Sequence, residues 1–181
     1  MAQTNILLEA GTNELEVVEF YLDEATFPTV DAGDVNADPQ AAAGEGSYRG
    51  YYGVNVAKVL EIIRMPKVTE LPEVQHPSVL GAFNLRSRII PLVDLAMWLG
   101  KTHTQTDEQP KTIVTEFNNV TTAFMVSGVN RIHRISWEKV EQPNKYVAAV
   151  SNNTVIGVVK LEERIVFLLD LEKVVANLNP K

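Results

Sequence analysis

The 181-residue sequence contains no cysteine. Disulfide frameworks, thiolate nucleophiles and Cys-ligated zinc or iron–sulfur sites are therefore excluded. Long hydrophobic runs are also missing. Stretches such as Ile165–Leu169 fall far short of the ~20 apolar residues that a membrane-spanning helix needs. Met1-Ala-Gln-Thr-Asn-Ile-Leu-Leu-Glu9 has no basic segment leading into an apolar one, so it does not read as a signal peptide. Positive charge is scarce, with 16 Lys+Arg against 23 Asp+Glu and a formal net charge of −7. That balance removes the attraction that drives nucleic-acid binding and argues against an anionic membrane surface as a direct partner. A cytoplasmic, soluble protein is the expectation.

What is present is ordinary for a globular chain: 45% hydrophobic and 22% charged residues, enough for one domain or two small subdomains sharing a core. The texture is that of short strands. Glu16–Leu22 is rich in β-branched and aromatic residues and puts Val18, Phe20 and Leu22 on one face. Comparable runs lie at Gly53–Val56, Val79–Asn84, Arg88–Val93, Lys111–Phe117, Thr121–Val126, Val147–Val150, Thr154–Leu161 and Arg164–Leu169. Asn118-Asn119 suits a two-residue hairpin turn with both residues at positive φ, and Glu162-Glu163 reads as a second hairpin tip. Many short, evenly spaced strands favour small barrels or a sandwich.

Helical pattern is confined to three short pieces. Val56, Val59, Leu60 and Ile63 follow i, i+3, i+4, i+7 spacing, which predicts about two helical turns ended by Pro66. Asp94 can cap Leu95–Leu99, with Gly100 as the left-handed residue after the last turn. Asp170 can cap Leu171–Leu178, whose Leu171, Val174, Val175 and Leu178 form one stripe. The segment 24–47 stands apart. It holds five acids, no Lys or Arg, and much Ala, Gly and Pro, and it reads as a long, mobile acidic loop.

Motifs for chemistry are weak. Asp34, Asn36, Asp38 and Glu45 match four ligand positions of an EF-hand loop, but Pro39 stands where that loop needs Gly, and flanking amphipathic helices are missing. These four residues are a weak metal candidate and no metal site is expected. Gly44, Gly46 and Gly50 nearly spell a dinucleotide fingerprint, yet Arg49 occupies the third required position and no βαβ unit surrounds them. His76, His103 and His133 lack metal-binding spacing, and no converging acid, base or nucleophile stands out. No catalytic residue and no cofactor is expected. The reading left is an interaction protein, with a ligand- or calcium-responsive sensor module built on the acidic loop as the alternative.

Here the sequence becomes specific. Tyr52-Gly-Val-Asn-Val-Ala-Lys-Val-Leu-Glu-Ile-Ile63, Val68-Thr-x-Leu-Pro72, His76-Pro-x-Val-x-Gly81, Asn84-Leu-Arg86 and Ile89-Ile-Pro-Leu-Val-Asp-Leu95 occur in that order. The series closely resembles the CheW-like domain of bacterial chemotaxis coupling proteins. Thr112-Ile-Val114, Val126-Ser-Gly-Val129 and Arg164–Val174 match more loosely, and Asn5–Glu16 looks like the CheV branch, where a receiver domain follows the CheW-like one. The expected organisation is an extension at 1–14, a CheW-like domain at 15–178 with the acidic insertion at 24–47, and a possible linker stub at 179–181. No receiver domain is expected within this chain.

The resemblance implies a mostly β fold of two intertwined five-stranded SH3-like barrels with a shared hydrophobic core. It further implies a non-catalytic adaptor that joins the cytoplasmic hairpin tips of chemoreceptors to the regulatory domain of the histidine kinase CheA in membrane-anchored arrays. Carried over position by position, the receptor groove would use Val59, Glu61, Ile62, Arg86, Ile113 and Val129. Apolar side chains there could accept a receptor helix, and Arg86 suits a bidentate ion pair or a helix end. For the four apolar residues, ordinary core packing is the competing reading. Two departures stand out: Ser87 follows Asn84-Leu85-Arg86 where the family usually has Gly, and Ser127 replaces a residue that is often acidic.

Overall fold

A computed structural model describes residues 13–25, 47–73, 76–100, 109–145, 147 and 153–178. Among these residues, ten strands form two five-stranded sheets. The strands are β1 (Glu14–Ala25), β2 (Ser47–Asn55), β3 (Val59–Arg64), β4 (Val79–Leu85) and β5 (Arg88–Asp94), then β6 (Lys111–Phe117), β7 (Val120–Val126), β8 (Gly128–Ser136), β9 (Val155–Leu161) and β10 (Arg164–Leu169). Helix α1 (Leu95–Trp98) follows β5, and helix α2 (Leu171–Leu178) follows β10.

Strand order in the first sheet is β8-β1-β2-β10-β9 and in the second β3-β6-β7-β5-β4. In each, a hairpin pairs antiparallel along one side (β1–β2, β6–β7) and joins the next strand in parallel (β2 with β10, β7 with β5). The chain thus reads as one β-strand plan used twice. The leading hairpin of each half completes the sheet built by the other half, so the two sheets cannot separate without unpairing strands.

The two halves agree residue by residue. Ser78 and Thr154, both fully buried, accept the backbone N–H of Asp94 and Asp170 at 2.7 and 2.8 Å. Those two aspartates then cap α1 and α2 through their own side chains. Gly81 and Gly157 hold matching places, and at each a Cβ would collide with the segment that closes the barrel: Thr69 O at 2.2 Å and Val140 Cγ1 at 2.5 Å. Closure itself is matched, because Thr69 beyond β3 bridges Ala82 on β4 and Glu141 beyond β8 bridges Val158 on β9. Each bridge ties the two outer strands of a sheet, rolling it into a small barrel, termed barrel A (first sheet) and barrel B (second).

Three apolar clusters result. Leu15, Val17, Ile135, Val159, Val166 and Leu168 fill barrel A, and Phe83, Ile90, Leu92, Val114, Ala123 and Met125 fill barrel B. The largest cluster lies between them: Val18, Phe20 and Leu22 of β1 meet Ile113, Phe117 and Phe124 of barrel B, with Leu171, Val174 and Leu178 of α2 packed alongside. Period-2 alternation explains this, since one face of β1 feeds barrel A and the other the shared core.

Expectations at the hairpins and caps hold. Asn118 and Asn119 have φ of 47° and 65°, Glu162 and Glu163 47° and 68°, and Gly100 81°. The helix expected over Val56–Ile63 is corrected to a single 3-10 turn at Val56–Lys58 followed by β3. Asn55 caps that turn by accepting Ala57 N–H at 2.9 Å. β-Branched residues at Val59, Ile62 and Ile63 then favour the ladder with β6 over further helix. β8 went unread because Arg131, His133 and Arg134 interrupt its apolar pattern. The 24–47 insertion is shorter than expected, since Glu24 and Ala25 belong to β1 and Ser47 to β2. The rest of it, with Asp34, Asn36, Asp38 and Glu45, lies outside the described residues, as do His103 and all of Val147–Val150 except Val147.

Candidate docking surfaces

The β4–β5 hairpin turns at Arg86-Ser87, with φ of 49° and 66°, and Asn84 Oδ1 accepts Ser87 N–H at 3.0 Å. This tight turn lifts Arg86 into solvent, where 77% of its side chain is exposed. Its guanidinium donates to Glu61 Oε2 at 3.3 Å, linking the hairpin tip to β3. Next along, Arg88 reaches Glu116 at 3.2 Å, and Thr121 donates to the same carboxylate at 3.0 Å. Ile89 follows at 80% exposure, and Leu60 and Ile62 flank Glu61 at 50% and 40%. Such isolated, exposed, branched apolar residues framed by charge are what a docking surface presents.

Barrel A carries the counterpart. Its β9–β10 hairpin turns at Glu162-Glu163, and Ile165 is exposed at 59% in the place that Ile89 holds in barrel B. Ile132 on β8 matches Ile62 on β3 and is 60% exposed. Glu162 pairs with Arg131 on β8, so the polarity of the tie is reversed: cation on the tip in barrel B, anion on the tip in barrel A. The two hairpin tips are therefore alike in shape and opposite in charge.

Beneath the barrel A tip lies a buried ionic cluster. Glu19, with no exposed surface, accepts from His133 Nε2 at 2.8 Å and from Arg164 at 2.8, 3.0 and 3.0 Å. Burial pushes its carboxyl upward, but hydrogen bonds from His133, Arg164 and Asn130 and the charge of Arg164 together hold it below the ordinary 4.5. Arg164 also lies over the Tyr51 ring at 4.9 Å. His133 thus takes a structural role. Glu19 was missed because Val17, Glu19 and Tyr21 share the face of β1 opposite Val18, Phe20 and Leu22, and one acid there looks like a solvated strand face.

The residues expected in the groove divide. Glu61 and Arg86 come together as an ion pair, and Ile62 lies beside them on β3. Val59 and Val129, both half-buried, pack against the margin of the shared core between the barrels. Ile113 is corrected: it is fully buried and offers nothing to a partner, because β6 is a central strand. Its ladder partner Ile62, on the outer strand β3, holds the exposed position instead. Ser127, the other departure, is buried, and its Oγ accepts Asp23 N–H at 2.8 Å.

Among the described residues no group of three or more His, Asp or Glu side chains could hold a metal ion. No helix among them is long and apolar enough to cross a membrane. The described surface displays two paired tips on two interlocked barrels.

Comparison with known proteins places this arrangement. The family model of the CheW-like domain matches residues 45–179, and the chain belongs to that family. It is similar to the chemotaxis protein CheV3 of Helicobacter pylori, 44% identical over 135 residues, which cover 72% of this chain and 43% of that protein. The chemotaxis protein CheW of Thermotoga maritima is 31% identical over 129 residues, covering 70% of this chain and 82% of that one. The crystal structure of the scaffolding protein TtCheW from Thermoanaerobacter tengcongensis shares the fold, with a TM-score of 0.65 at 20% identity, covering 86% of this chain and 88% of that one. The chain thus spans less than half the length of the CheV3 relative.

Proposed function

We propose that this chain is a non-catalytic chemotaxis adaptor that joins a chemoreceptor's helical hairpin tip to the regulatory domain of the histidine kinase CheA, in the cytoplasm and without membrane contact of its own. The observation that carries the reading is the pair of matched surfaces, each with an exposed isoleucine at a hairpin tip and opposite charge on the turn. Two unlike partners need two unlike sites on one rigid body, and charge of opposite sign is the simplest way to keep them from exchanging.

The receptor site is assigned to barrel B and its margin with barrel A. Ile62 and Arg86 form its exposed rim, with Val59 and Val129 on its half-buried floor. A helical tip would lay an apolar stripe along Ile62 and the valines and set a carboxylate or a helix C-terminus against Arg86. The kinase site is assigned to Ile132 and Ile165 of barrel A. A basic patch on the kinase domain would meet the acidic Glu162-Glu163 turn.

Sedimentation of the chain with a receptor-tip hairpin and the CheA regulatory domain tests this. A single ternary species at equimolar ratio is expected. Displacement of one partner by the other would mean one shared site and would defeat the adaptor reading.

A further inference from the structure

The buried carboxylate of Glu19 joins the two strands that carry the exposed isoleucines of barrel A. We propose that Glu19 is a positioning residue for that surface, fixing the placement of Ile132 and Ile165 relative to each other; this rests on the barrel A docking reading above. The geometry is direct. His133, bound to Glu19 at 2.8 Å, follows Ile132 on β8, and Arg164, bound at 2.8 Å, precedes Ile165 on β10.

β8 and β10 are not neighbours, since β1 and β2 lie between them in the sheet. Backbone pairing therefore leaves their relative twist to two intervening ladders, while the Glu19 side chain spans the gap in one step. Glu19 also stands where the β1–β8 register shifts between Val18 and Phe20, and an irregularity of this kind re-aims the side chains around it.

Stability alone does not call for such a cluster. Apolar residues of equal volume commonly hold a core as well as a buried ion group does. Barrel B lacks the tie: the strand registers put the fully buried Val114 where barrel A has Glu19, and Ile63 where it has His133. Two apolar side chains there cannot close the same triangle. The cluster therefore gives barrel A a rigid recognition surface that barrel B does not share.

The test uses the full chain, the purified CheA regulatory domain and a receptor-tip hairpin as probes. Glu19→Gln is expected to weaken kinase-domain binding about tenfold, to shift the Ile132 and Ile165 methyl NMR resonances, and to leave receptor-tip affinity within about twofold. Glu19→Asp should recover part of the kinase affinity, which a volume effect would not. Should Glu19→Gln fail to fold, Arg164→Lys removes the multiple contacts while keeping charge and carries the same expectation. Unchanged methyl resonances and kinase affinity in these variants, with binding abolished by Ile165→Arg, would overturn the positioning role. Binding that survives Ile165→Arg would instead overturn the docking reading on which it stands.

Discussion

Arg86 and Glu162 occupy the same position in two equivalent hairpin turns, with φ of 49° and 47°, and each forms an ion pair with the strand at its barrel's edge, Glu61 on β3 and Arg131 on β8. One scaffold thus presents the same shape twice with the charge inverted. Because the leading hairpins are exchanged between barrels, the two tips are held on one interlocked body.

For Arg86, the exposed ion pair is worth little to the fold, about 0–1 kcal/mol for pairs of this kind. Arg86→Glu should therefore leave the melting temperature nearly unchanged. Receptor-tip affinity should fall about tenfold or more, since the charge facing the partner is reversed. Calorimetric titration alongside thermal unfolding separates the two effects; a loss of affinity that tracks a loss of stability would speak against the assignment.

Ser87 offers a prediction in the stabilising direction. It holds φ of 66° in a turn that favours glycine at this position. Ser87→Gly should raise unfolding free energy by about 0.5–1 kcal/mol, the strain relieved in the folded state outweighing the added freedom of the unfolded chain. Denaturant titration reads the change, with the midpoint rising and the slope constant.

Gly81 should be intolerant. A Cβ there would lie 2.2 Å from Thr69 O, at a φ of +150°, and would force apart the bridge that closes barrel B. Gly81→Ala is expected to cost more than about 2 kcal/mol. Hydrogen exchange should show the Thr69 and Ala82 amides losing protection first.

Acid should act on the Glu19 cluster. The Glu19 carboxyl is held below its unfolded value of 4.5, so its contribution is complete above about pH 4.5 and drains away as the pH falls through the lower folded value. At neutral pH, Glu19→Gln should cost about 3 kcal/mol, as when one member of a buried ion group is removed. The gap between parent and variant should narrow on acidification below pH 4.5. A gap that stays constant down to the acid transition would show that the Glu19 carboxyl binds its proton equally in the folded and unfolded states, contradicting the lowered value.

The sequence made the strands, turns and caps legible wherever a single local rule dominated. Asn118-Asn119 and Glu162-Glu163 announced their turns, and Asp94 and Asp170 their caps. β3 was misread because Val56, Val59, Leu60 and Ile63 satisfy a helical period by chance, while pairing with β6 decides the outcome. β8 was hidden because Arg131, His133 and Arg134 break its apolar pattern, and Glu19 because one acid on β1 looks like a solvated strand face; only the fold brings Glu19, His133 and Arg164 together. Ile113 shows the converse. Its match to the family motif carried it into the groove, yet its central strand buries it completely.

The most direct test is a paired substitution read against both partners: Ile62→Glu on barrel B and Ile165→Glu on barrel A, each measured by calorimetry with the receptor-tip hairpin and the CheA regulatory domain. The expected result is a crossed pattern, with Ile62→Glu losing the receptor tip alone and Ile165→Glu losing the kinase domain alone. Variants that stay folded yet weaken both partners equally, or neither, would contradict the two-surface adaptor.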